Sequence, residues 1–138
     1  MSIVDAALPL QKLILDTLKS DQAVTAIVGQ RVYDHVPRNV VFPFIQIGDD
    51  SFNYSRLSIR SESTIRVYTQ SVGMPQVKTL GSAVLNSLIS LDDPVMADGL
   101  ALSDVQAISA EYLSDETAEA QLGEIVVAFE IEADTSIL

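Results

Sequence analysis

The chain has no cysteine and a single histidine, His35. No disulfide can staple it, which fits a reducing compartment. A structural zinc site is excluded on donor chemistry, since one His leaves only carboxylates beside it. No apolar run approaches the roughly 18 residues needed to span a bilayer, so no membrane partner is expected. Met1 to Ala7 carries Asp5 in place of a basic stretch, and no continuous apolar segment follows. No secretory signal is therefore expected, and synthesis is expected to be cytoplasmic. Glycine-rich phosphate loops are missing too. Gly48, Gly73, Gly81, Gly99 and Gly123 stand isolated, with no Gly-x-Gly-x-x-Gly and no Walker lysine.

Base is lacking from the second half of the chain. All eight Lys and Arg (Lys12, Lys19, Arg31, Arg38, Arg56, Arg60, Arg66, Lys78) lie at or before residue 78, against seven acids. The last sixty residues hold twelve acids and no base, which carries the formal net charge to −11. Tight binding to nucleic acid needs cations that displace counterions, and that footprint is missing. Two readings of the acids stand: a charge that confers solubility, or an acidic surface with a task.

The polar residues form no recognisable catalytic arrangement. His35 sits in Tyr33-Asp34-His35-Val36-Pro37 with no nucleophile elbow nearby, so it reads as a surface or packing residue. The pairs Asp49-Asp50, Asp92-Asp93 and Asp115-Glu116 fall in predicted turns, where Asp bonds the local backbone. None has the alternating acids and central Gly of a calcium loop. Phe42, Phe44, Phe52 and Tyr54 are spaced as strand residues rather than as a base-stacking platform. No catalytic residue, cofactor or metal site is expected, and the protein is not expected to be an enzyme.

What is present is a core. A chain of 138 residues, 48% apolar, fits one domain over 1–138 and can bury about 68% of its unfolded surface. Residues 6–19 predict an amphipathic helix through Leu10, Leu13, Ile14, Thr17 and Leu18, with Asp5 as a cap and Pro9 in its first turn. Ser20 or Asp21 caps a second short helix stopped by Gly29. Arg31 to Asp34 predicts a short extended piece, and Val36-Pro37 and Phe42-Pro43 bracket a loop. Phe44 to Ile47 predicts a strand ending at Gly48-Asp49-Asp50, with 51–58 a hairpin tip or loop. Residues 59–70 alternate, with Ile59, Ser61, Ser63, Ile65 and Val67 on one face and Arg60, Glu62, Thr64, Arg66 and Tyr68 on the other. The longest helix is expected at 75–91, with a stripe of Val77, Leu80, Val84, Leu85, Leu88 and Leu91. In it Gly81 allows a close approach. Strands are expected at 103–113 and 122–133, joined by an acidic turn from Ser114 to Glu119. The order implies an α+β fold: a mostly antiparallel sheet with one long helix across it and N-terminal helices.

The order of these signals is specific. An amphipathic helix leads into Ser20-Asp21-Gln22-Ala23-Val24-Thr25-Ala26-Ile27-Val28-Gly29-Gln30-Arg31-Val32-Tyr33. Val36-Pro37 and Phe42-Pro43-Phe44-Ile45-Gln46-Ile47-Gly48 follow, then Ile65-Arg66-Val67-Tyr68-Thr69-Gln70-Ser71, Gly73 and a helix ending Leu88-Ile89. Over roughly 8–131 this ordered set resembles the tail-terminator, or tail-completion, proteins of long-tailed phages, prophages and gene transfer agents. The resemblance implies a structural virion protein that forms a ring, a hexamer on the tail. The ring caps the head-proximal end of the tail tube, ends tube polymerisation and joins the tail to the head connector. Its implied partners are further copies of itself, the tail-tube protein and a head-side connector or stopper protein, with DNA passing through unbound. Two alternatives stand beside it: a head-completion or connector protein of the same particle, and a small cytoplasmic binding module.

Within that reading, Phe52, Tyr54 and Arg56 are the expected subunit or tube contacts, because a polar loop has few other reasons to carry aromatic groups. Asp115, Glu116, Glu119, Glu124, Glu130 and Glu132 are the expected channel-lining acids, since acids repel a passing polyanion. Alternation along 124–132 makes one face polar without fixing where it points.

Overall fold

A computed structural model describes residues 6–56, 58–70, 73–91, 100–115 and 119–133. The first helix, α1 (Ala7–Ser20), buries Leu10, Ile14 and Leu18 at the expected helical spacing. Its N-cap is Ala6, which makes no side-chain cap; the expected cap, Asp5, lies outside the described residues. Asp21 breaks the helical backbone and accepts the Val24 N–H at 3.1 Å, starting α2 (Gln22–Val28). Gly29 ends α2 at φ 61°, the left-handed conformation expected there.

The chain then builds one five-stranded sheet. Strand β1 (Val32–Tyr33) is followed by β2 (Phe44–Tyr54), β3 (Ile59–Thr69), helix α3 (Pro75–Ile89), β4 (Leu100–Asp115) and β5 (Ala120–Ala133). The strand order is β1-β2-β3-β5-β4. Every pairing is antiparallel except β1 with β2, which is parallel. The fold is therefore the expected α+β arrangement on a mostly antiparallel sheet.

Two expectations need correction. Strand β2 does not end at Gly48-Asp49-Asp50. It passes through a bulge there, with Asp49 at φ 60°, and runs on to Tyr54 against β3. A bulge absorbs the extra residue and the turn-prone Gly-Asp-Asp without ending the ladder. Residues 51–54, half of those read as a loop, are thus strand, and the tip between β2 and β3 is closed by the Ser55 N–H to Ser58 O bond at 2.9 Å. Nor is α3 distinguished by length, since α1 has 14 residues to its 15.

All three helices pack toward one face of the sheet. The core joins Leu10 and Leu18 of α1, Val24 and Val28 of α2, and Val77, Leu80, Val84 and Leu88 of α3 to alternate strand residues such as Ile45, Ile65, Ile125 and Phe129. Leu85 and Leu91, placed in the stripe from sequence, are only partly buried against it. Two glycines make room in this layer. Tyr112 of β4 reaches across Gly123 of β5 to Gly81 of α3; a Cβ on Gly81 would stand 2.8 Å from Tyr112 Cε1, and one on Gly123 2.9 Å from it. No described helix is long and apolar enough to cross a membrane.

Candidate functional site

With the helices on one face, the other face of the sheet has no described helix over it. Alternation decides what it carries. The strand registers align Phe44, Tyr68, Leu122 and Leu113 in one row across β2, β3, β5 and β4. The next row is Gln46, Arg66, Glu124 and Glu111. At the far end stand Asn53, Arg60, Glu130 and Asp104, and Glu132 follows on the same side of β5.

The apolar row is anchored by aromatic groups. Phe44 is buried without joining the helix-side core. Its ring stacks on Tyr68 at 4.7 Å and 14°, and Phe42 meets it edge-on at 5.0 Å. Burial raises the Tyr68 phenol above its ordinary pKa, so the ring stays neutral. At the other end of the row Leu113 is 54% exposed.

The charged rows are a ladder of carboxylates around two arginines. Arg66 bonds Asp49 across the bulge and Glu124 at 3.3 Å. Burial pulls the Arg66 pKa down, but the two carboxylates outweigh it and hold the guanidinium above its ordinary value. Arg60 meets Glu130 at 3.1 Å and Glu62 at 3.9 Å. Asp104, Glu111 and Glu132 share the face and make no ion pair with another described residue. The face is therefore strongly acidic, with both of its arginines already engaged. Among the described residues, no group of three or more His, Cys, Asp or Glu side chains is placed to hold a metal ion.

The family described as tail completion protein gp17 matches residues 12–132. The chain belongs to this family. It is a structural component of a phage-type tail, as the ordered signals over 8–131 implied. No curated protein matches. Among solved structures, the chain is similar to one from the virion of a native gene transfer agent (GTA) particle. That likeness has a TM-score of 0.83 at 23% identity and covers 95% of this chain and 100% of that one. At that identity it shows a shared fold.

The structure separates the residues singled out from sequence. Phe52 lies on β2 with its ring packed against the core. Tyr54, 52% exposed, ends the same strand, and Arg56 is exposed in the tip. Of the six acids, Glu124, Glu130 and Glu132 share the helix-free face. Asp115 ends β4, Glu119 is exposed at φ 50° in the turn before β5, and Glu116 lies outside the described residues. Sequence reasoning missed Asp104, Glu111 and Leu113 as members of this face. Bulges at Leu102/Asp104 and Ala107/Ser109 shift the phase of β4 twice, so simple alternation does not find them.

Proposed function

We infer that this protein forms a ring at the head-proximal end of the tail tube, where it stops tube polymerisation and meets the head-side connector. The observation that carries the reading is the family match over 12–132. Such a ring acts by contact, not catalysis, and the chain is read as one structural domain without a cofactor. The hairpin tip, with Tyr54 and Arg56 in solvent, is its contact to the tube or to a neighbouring copy. The helix-free face turns toward the channel. Its acids repel the DNA that must slide past, and its two arginines are occupied by carboxylates, so little cationic charge is left to hold a phosphate.

Tube assembly supplies the test. Tube protein polymerised with the wild-type chain should give capped tubes that stop growing, and without it tubes that go on elongating while free subunits last. The double variant Tyr54→Ser, Arg56→Ser should fold with an unchanged melting curve and fail to stop elongation. Growth arrested normally by that variant would remove the tip from the contact. Phe52 is left intact because truncating a core-packed ring would confound folding with docking.

A further inference from the structure

The two sides of the sheet end differently. Strand β1 is a two-residue edge, too short to template much pairing. Strand β4 has 16 residues and pairs only with β5, so one row of its backbone N–H and C=O groups meets no strand among the described residues. Proteins blunt such edges with lysine, proline, bulges or brevity. Strand β4 has no lysine and no proline, and its bulges, at Leu102/Asp104 and Ala107/Ser109, reach no further than Ser109. From Ser109 to Asp115 the register with β5 runs unbroken, and every residue but Tyr112 is exposed. That stretch is as long as an ordinary strand. The helix layer stops short of it: Ala110 is exposed, although its partner across the ladder, Ile125, is fully buried.

Side-chain chemistry selects what can pair there. Glu111 makes no ion pair with another described residue. Leu113, on the same face, is 54% exposed. An added strand matches this edge when it carries Lys or Arg level with Glu111 and an apolar group level with Leu113, because opposite charges attract across a ladder and like charges repel. A second copy has no such strand to give. Its strand arginines, Arg60 and Arg66, sit on β3, which is paired on both sides and holds both in ion pairs. The other strands carry no base. The occupant is therefore a different protein. Position narrows it further. Tyr54 at the hairpin tip is level, through Ile59 and Ile131, with Leu102, whereas Leu113 is level with Phe44 at the other end of the sheet. With the tip against the tube, the Ser109–Asp115 edge lies toward the opposite side of the ring. We propose that Ser109–Asp115 accepts an extended, basic segment of the head-side connector protein as an added strand. Backbone bonds supply the hold, and Glu111 and Leu113 choose the segment by a base and an apolar group two positions apart.

This strand addition rests on the ring reading, and its test separates the two. Along an antiparallel ladder one residue's N–H points to the partner strand and the next residue's points away. Proline is tolerated only where the N–H points away. Ala110→Pro and Glu111→Pro are therefore a matched pair: one breaks the ladder with β5 and melts early, and the other melts like wild type. The variant that melts like wild type should arrest tube growth normally and lose joining of tails to heads; normal joining by it would overturn the proposal. Glu111→Lys should slow joining, with a smaller deficit at high salt as screening weakens the repulsion. Joining unchanged by that variant would overturn the basic character of the segment. Leu113→Cys gives a readout independent of proline, in a chain with no other cysteine. Labelled with a benzophenone and illuminated in complete particles, it should form a covalent adduct with the connector protein. Adducts only with the tube protein or with another copy of the chain, or no adduct in particles that joined normally, would overturn the proposal and leave the ring standing. A wild-type chain that never arrests tube growth would overturn the ring reading, and this proposal with it.

Discussion

Tyr112 and Gly81 illustrate how single residues tune this fold. The Tyr112 side chain crosses from β4 to α3 through space left by two glycines, and a Cβ on Gly81 would collide with its ring. Gly81→Ala gains helix propensity, worth up to about 1 kcal/mol. It loses more by overpacking, which costs about 1–3 kcal/mol. Net destabilisation is expected in chemical denaturation. Pairing it with Tyr112→Leu should recover part of the loss, a non-additivity diagnostic of direct contact. Additive losses would mean that the ring and the glycine do not constrain each other.

Among the elements, α3 shows how far periodicity carries. Val77, Leu80, Val84 and Leu88 are fully buried, while Leu85 sits at the edge of the stripe. Leu80→Ala should therefore cost about 2–5 kcal/mol, the range for truncating a buried leucine, and Leu85→Ala distinctly less. Equal losses in urea unfolding would contradict the packing of α3 on β5 and β4. Strand β2 makes the converse point. Its Gly48-Asp49-Asp50 has the composition of a turn, yet the ladder with β3 persists on both sides of it. Pairing along eleven residues outweighs one unfavourable step, and Arg66 holds Asp49 in the bulge.

For the whole molecule, the decisive feature is that all helices lie on one face and the acids gather on the other. In a ring whose helix-free faces line the channel, Asp104→Lys with Glu132→Lys adds two cations at exposed sites that make no ion pair with another described residue. DNA ejection from particles carrying this variant should slow at low salt and recover at high salt, because screening and counterion competition weaken phosphate contacts. Unchanged ejection in correctly assembled particles would turn this face outward. Glu124 and Glu130 are the wrong residues to reverse, since each change would also strand an arginine.

Local signals in the sequence determined the elements. Spacing of apolar residues, Asp21 and Gly29 as caps, and strict alternation over 59–69 are read from neighbours within a few positions, and the structure keeps them. The ordered set of these signals was enough to reach the family. Which strands are neighbours is a long-range choice that no local pattern encodes. The order β1-β2-β3-β5-β4 and the bulges that rephase β2 and β4 appear only in the folded sheet. Only that packing brought Arg60 to Glu130, seventy residues away, and Arg66 to Glu124, fifty-eight residues away. Only it left Leu113 and Val41 exposed, because burying an apolar side chain depends on what covers it in space and not on its neighbours in the chain.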